Sequence, residues 1–180
     1  MKKILIIFSL IAGLSSYSQN YWSLFSDETI ISNDVNQSKT FEIDCYKFKV
    51  IWNKKLSHSD NIGYYGGIET LTIYNNNKEI QTIKKIEDEI ALGTIVFNFY
   101  DYNLDGHLDF TIPINSNWDG YYIYNPLIDK FEHQKEWDYL KIQKIDKVSK
   151  QILSQPDGNA QNDNRKRYQI KDNHLVLLSK

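Results

Sequence analysis

The chain has 180 residues, with 21 Lys and Arg against 23 Asp and Glu, and a single cysteine. A formal charge of −2 leaves no basic footprint for nucleic acid or an anionic membrane surface. One cysteine allows neither an intramolecular disulfide nor a thiolate metal site, so the fold must rest on its core.

Met1–Ser18 reads as a secretory signal peptide. Lys2 and Lys3 form a charged start, Ile4–Leu14 a short apolar run, and Ser16 and Ser18 the small residues of a cleavage site before Gln19. The apolar run is short for a spanning helix, and the segment lacks the cysteine a lipid anchor there would need. Cleavage removes Lys2 and Lys3, which takes the charge to −4. The remainder, residues 19–180, is expected to be one domain in the periplasm or outside the cell, without a membrane span.

Gln19 to about Lys39 is polar, with room for one short strand. Thr40–Trp52 reads as one long strand, and within it Cys45 as a small buried hydrophobe rather than a nucleophile. A loop over Lys54–Gly67 carries Tyr64 and Tyr65 between glycines. Glu69–Tyr74 and Ile80–Lys84 flank Asn75-Asn76-Asn77-Lys78, a hairpin signal. Lys85–Ala91 leaves a helical turn and a polar loop both open.

Asp101-Tyr-Asn103-Leu-Asp105-Gly106-His107-Leu-Asp109 is the sharpest motif. It has the spacing D-x-N-x-D-G-x-x-D, which sets oxygen donors at loop positions 1, 3, 5 and 9 and a glycine where the chain must turn. His107, at position 7, offers its backbone carbonyl. Hard oxygen donors favour Ca²⁺ over zinc or copper. An EF-hand is excluded, because position 12 is Ile112 rather than a glutamate and the flanks are not helical. Ile95, Phe97 and Phe99 before the loop, and Leu108, Phe110, Ile112 and Ile114 after it, recur with period two. The loop therefore joins two strands, and further ligands must come from elsewhere or from water. A metal-free turn rich in Asp and Asn is the bland alternative.

Asn115–Gly120 is another turn and carries Trp118 and Asp119. Tyr121–Asn125 is a strand, Pro126–Lys130 turns the chain into Phe131, and Glu136–Leu140 reads as a short helix. Lys147–Ser154 and Tyr168–Leu178 are closing strands around a loop at Gln155–Asp163. Short strands with a turn signal roughly every 8–12 residues predict an all-β fold: a single antiparallel domain, either a sandwich or a small propeller-like sheet.

The order Ile80-Gln-Thr-Ile83, Phe99 to Gly106, Asp109-Phe110, Tyr122-Ile-Tyr-Asn125 and Lys130-Phe131 resembles a family of exported bacterial proteins. The family is typified by immunity proteins of antibacterial type IV secretion systems and is similar in fold to periplasmic lysozyme inhibitors. The resemblance spans Leu71–Ser154. The lipobox cysteine of such immunity lipoproteins has no counterpart here, and the calcium loop occurs once rather than as a propeller repeat. The resemblance implies a non-enzymatic inhibitor or immunity-type protein against a lysozyme-like peptidoglycan hydrolase.

Consistent with that, no G-x-S-x-G or H-E-x-x-H occurs, and His58, His107, His133 and His174 show no ligand spacing. The expected partner surface is Tyr64, Tyr65, Trp118 and Asp119, aromatics on turns beside an acid. The alternative is a carbohydrate-binding or surface-interaction module that uses Trp118 and the tyrosines as stacking platforms.

Overall fold

A computed structural model describes residues 21–155 and 165–179. The expected signal peptide, and most of the loop expected at Gln155–Asp163, lie outside these residues.

Among the described residues, sixteen strands follow one another in chain order. They are β1 (Ser23–Leu24), β2 (Ile31–Val35), β3 (Lys39–Ile43), β4 (Tyr46–Asn53), β5 (His58–Ser59), β6 (Gly63–Tyr64), β7 (Gly67–Asn75) and β8 (Lys78–Glu87). Then come β9 (Ile95–Tyr100), β10 (Asp109–Pro113), β11 (Asp119–Asn125), β12 (Lys130–His133), β13 (Ile142–Asp146), β14 (Gln151–Ser154), β15 (Lys166–Lys171) and β16 (His174–Ser179). Two 3₁₀ turns, Phe25–Asp27 and Lys135–Trp137, are the only helical pieces among the described residues. No helix there is long and apolar enough to cross a membrane.

The fold is all-β and antiparallel. Three sheets run β3-β4-β7-β8, β12-β11-β10-β9-β2 and β1-β13-β14-β15-β16, and β5 and β6 form a separate small hairpin. Two of the large sheets are built on four consecutive strands, β9–β12 and β13–β16, and the first on two hairpins, β3–β4 and β7–β8, separated by β5–β6, so most pairings are local. The sheets stack as three layers, and the one containing β9–β12 lies in the middle. Its Phe97, Phe99, Phe110, Tyr124 and Phe131 share a core with Phe48, Val50, Leu71 and Ile73 of the first sheet. From its other face, Tyr121 and Ile123 share a second core with Tyr102, Trp137, Ile145, Ile152 and Ile170. This explains why β11 reads Tyr-Tyr-Ile-Tyr without a polar alternate: both of its faces are covered.

The first core is aromatic at its centre. Phe48 lies 5.1 Å from Phe99 and edge-on to Phe110 at 5.9 Å, and Phe110 stacks on Tyr122, its register partner, at 4.8 Å. Offset and edge-to-face contacts of this kind add to area burial.

Several expected elements differ. Thr40–Trp52 is two strands, because the chain turns back at Asp44–Cys45, where Asp44 takes φ +53°. No glycine or proline marks that turn; Asp is among the side chains that tolerate the left-handed region. Cys45 is consequently exposed at the turn rather than buried. Tyr168–Leu178 is likewise two strands, folded over Asp172–Asn173 at φ +50° and +65°. Glu136–Leu140 supplies only part of a 3₁₀ turn, β13 precedes the expected closing strand, and Lys85–Ala91 extends β8 to Glu87 and then turns. The 69–84 hairpin is present, turning on Asn76 and Asn77, both at positive φ.

Phe48→Ala should cost about 3–5 kcal/mol of unfolding free energy, the range for deleting a fully buried aromatic ring. Urea unfolding followed by tyrosine fluorescence checks this, and a loss below about 1 kcal/mol would contradict a packed first core.

Candidate functional site

The loop between β9 and β10 is knitted by its own side chains. Asp101 accepts the backbone N–H of Asp105 on Oδ1 at 3.0 Å and that of Gly106 on Oδ2 at 2.9 Å. Asn103 Oδ1 also accepts the Asp105 N–H at 3.1 Å, and Asp105 Oδ1 accepts the His107 N–H at 2.8 Å. These are Asx-type bonds, the reason Asp and Asn suit such turns. Gly106 sits at φ +93° with open space where a Cβ would be, so the backbone angle alone calls for glycine. Leu104 takes φ +58°, a costly position for a bulky residue that the surrounding hydrogen bonds hold in place.

Asp109 stands at the back of the loop as the first residue of β10, and it is fully buried. Its Oδ2 accepts the N–H groups of Tyr102 at 2.8 Å and Asn103 at 3.3 Å, and its Oδ1 accepts that of Tyr124 in β11 at 2.8 Å. Burial pushes its carboxyl well above the ordinary range; the Tyr124 and Asn103 N–H groups pull it back, and the charges of Asp105 and Asp101 push it up further. Asp101 is also raised, by burial first, against the Gly106 and Asp105 N–H groups and with the Asp105 charge. The Asp105 charge thus bears on both of these carboxyls. His107 is exposed, its ring 5.2 Å from that of Tyr124.

The donor set is all oxygen, as a hard cation requires. Among the described residues, no three Asp, Glu, His or Cys side chains gather around one point. A cation here would therefore depend on the Asn103 amide and the His107 carbonyl as well as on Asp101, Asp105 and Asp109. Asp109 keeps spare capacity: three N–H donors leave part of the roughly four lone-pair sites of a carboxylate free. The loop opens on a cleft of about 490 Å³, lined among others by Asn103, Asp105, Leu127, Lys171 and Asn173. Asn173 was not legible as a site residue. It lies on the β15–β16 turn, which neither glycine nor proline marks, yet its Oδ1 accepts from Asn103 Nδ2 at 2.7 Å.

The expected partner surface falls into two places. Tyr64 is largely exposed on the β5–β6 hairpin, 4.7 Å from the His58 ring, and Tyr65 beside it is half-buried. Trp118 and Asp119 lie on the β10–β11 turn. That turn is closed by the Ile114 N–H on the Trp118 carbonyl at 2.8 Å and by Asn115 Oδ1, which accepts from Asn117 and Trp118. The Trp118 ring meets Tyr139 edge-on at 5.7 Å, with Lys141 Nζ 5.8 Å from its centre. Burial raises the Asp119 carboxyl, and Lys141 partly offsets this. Below this turn a smaller cleft of about 150 Å³ includes Glu87, Glu89, Tyr122 and His133. His133 is less isolated than its spacing suggested: Nε2 pairs with Asp138 at 2.8 Å, and the ring stacks on Tyr122 at 5.0 Å.

Comparison with protein-family models, with curated proteins and with solved structures finds no match to this chain.

Asp109→Ala leaves three backbone N–H groups without their acceptor, at roughly 1–3 kcal/mol for each that water cannot reach. It should destabilise the fold by about 3 kcal/mol or more, and Asp109→Asn, which keeps one acceptor oxygen, by less. Chemical denaturation of the two variants checks this order, and a neutral Asp109→Ala would show that the carboxylate is dispensable.

Proposed function

We propose that this chain is an exported calcium-binding protein that acts without catalysis, as an inhibitor or immunity-type protein against a lysozyme-like peptidoglycan hydrolase. The observation that carries the calcium half is the closed Asp101–Asp109 loop. Its Asp101 and Asp109 carboxyls lie near enough to Asp105 for that residue's charge to push both upward. Asp101, Asn103, Asp105, Asp109 and the His107 carbonyl would hold the ion. Bound calcium supplies positive charge that offsets this repulsion, and binding to the folded state alone stabilises it by mass action.

The residues themselves do the positioning. Asp109 ties the loop to β11 through the Tyr124 N–H, and β11 begins at Asp119, so the ion site and the Trp118–Asp119 turn share one strand. The hydrolase half rests on the resemblance and on the surface beside that turn. Glu87 and Glu89 place carboxylates beside Tyr122 and His133 on the smaller cleft, and Asp119 stands next to Trp118 on the turn itself; acids near aromatic side chains suit the cationic cleft of a lysozyme-like enzyme. The carbohydrate-module reading needs an open aromatic face. The Trp118 ring is already met by Tyr139 and Lys141, which leaves Tyr64 as the freer platform.

Calcium should raise the melting temperature relative to EGTA, and the gain should be larger near pH 7.5 than near pH 4.5. The sign follows from the raised folded-state carboxyls of Asp101 and Asp109. Their protonated forms favour the fold, that contribution is lost as pH rises through the folded pKa, and calcium competes with those protons. Equal melting curves with and without calcium at both pH values would remove the ion from the account.

In a lysis assay against a panel of lysozyme-type enzymes and the product of any adjacent hydrolase gene, the protein should inhibit at least one of them. Asp119→Lys should weaken that inhibition by roughly tenfold or more. Binding to glycans with no inhibition of any hydrolase would favour the carbohydrate reading instead.

A further inference from the structure

We propose that the end of the molecule around the cleft of about 490 Å³ is the interface of a two-fold homodimer, in which Leu127 of each copy seats in the cleft of the other. This association is independent of the calcium and hydrolase readings.

The topology gathers four turns at that end. β9–β12 and β13–β16 are both up-and-down runs, so alternate turns of each lie together. The β9–β10 loop brings Asp105 to the cleft, the β11–β12 turn Leu127, the β13–β14 turn Lys150, and the β15–β16 turn Asp172 with Lys171 beside it. Leu127 is 93% exposed, more than any other large apolar side chain among the described residues. Ile128 next to it and Val148 on the β13–β14 turn are exposed as well. Apolar side chains gathered at one end mark an association surface in a way that scattered ones do not.

The turns that carry them are preset. The Leu127 N–H donates to Asn125 Oδ1 at 3.0 Å, and the Ile128 N–H to the Asn125 carbonyl at 3.3 Å. Asp129 anchors the same turn, its Oδ1 accepting from the Tyr124 hydroxyl at 2.8 Å and from Asn75 Nδ2 at 3.1 Å. On the neighbouring turn, Asp146 Oδ1 accepts the Val148 and Ser149 N–H groups at 3.0 Å each. A surface fixed in this way loses little freedom on association.

The charges of the cleft select the occupant. Lys150 and Lys171 stand with Asp105 and Asp172, two of each sign and all exposed. Among the described residues, none of the four side chains forms an ion pair. A partner of one strong sign would meet two like charges here, at a cost. A second copy related by a two-fold axis presents the same patch reversed, so each lysine can face an aspartate. The shape meets the same requirement. Leu127 is itself a wall of the cleft, so the rotation that carries one leucine into the partner's cleft carries the partner's leucine back. The cleft has room for a leucine side chain with water around it.

Sedimentation velocity in EGTA, which leaves Asp105 uncoordinated, over a roughly hundredfold range of protein concentration tests this. The wild type should pass from monomer to dimer as concentration rises, and the dimer should weaken with added salt. Leu127→Asp should raise the dimer dissociation constant by roughly tenfold or more. Lys171→Asp and Asp172→Lys should each be monomeric where the wild type is dimeric. An equimolar mixture of the two should recover a dimer, because the reversed charges then face their opposites. Melting curves establish that each variant is folded. Asp172 sits at φ +50°, and should Asp172→Lys fail to fold, Leu127→Asp on its exposed turn decides the matter alone. A wild type that stays monomeric throughout overturns the proposal, as does a dimer that Leu127→Asp leaves intact or a mixture of the folded charge variants that stays monomeric. A monomeric wild type whose Leu127→Asp variant loses inhibition of a hydrolase would assign this end to that enzyme instead.

Discussion

One buried carboxylate organises the middle of this molecule. Asp109 accepts N–H groups from Tyr102, Asn103 and Tyr124 while wholly removed from solvent. The bonds on one oxygen fix the start of the loop, and the bond on the other fixes the loop to the neighbouring strand. A charged acceptor with several donors is among the stronger interactions available in an interior. It is also one that the interior tolerates only while the donors stay in place. The loop's shape and the β10–β11 pairing therefore depend on each other.

The middle sheet makes that dependence consequential. It is covered on both faces, by Phe48 and its neighbours on one side and by Trp137 and Ile152 on the other. A shift of β10 or β11 has no solvent-facing side on which to be absorbed, because packed cores yield little to displacement. The Asn103–Asn173 contact and the Trp137–Asn173 bond carry the same constraint into the C-terminal sheet. The loop is thus a junction between layers as well as a turn between two strands.

Much of this was legible from the residues. The period-two runs Ile95-Phe97-Phe99 and Phe110-Ile112 marked β9 and β10, and the D-x-N-x-D-G spacing marked the loop between them. The Asn76–Asn77 hairpin declared itself through its turn chemistry. What escaped were turns that neither glycine nor proline marks. Asp44–Cys45 reverses the chain inside a stretch that alternates like one strand, and Asp172–Asn173 does so within the polar run Lys171–His174, whose Asp-Asn pair is itself a turn signal, so two hairpins read as single strands. That miss hid Asn173, whose approach to Asn103 is a tertiary contact across 70 positions in sequence. The layering was hidden for a related reason. Tyr121–Tyr124 looks the same to a periodicity argument whether one face or both are covered, and only the stacking of the sheets distinguishes the two.

The central claim is that the loop binds calcium to hold the fold rather than to perform chemistry, and Asp105 is where it is most exposed to test. Asp105 is solvent-facing, accepts the His107 N–H and reaches Asn103, but is not itself a core residue. The direct measurement is calcium titration calorimetry on the wild type and Asp105→Ala, paired with melting of both proteins in calcium and in EGTA. The account predicts that Asp105→Ala loses calcium affinity and calcium-dependent stability together, and that the two proteins melt much closer to one another in EGTA than in calcium. An Asp105→Ala protein that keeps its calcium-dependent melting temperature yet loses inhibition of its target would contradict the account, because the loop would then act on the partner directly.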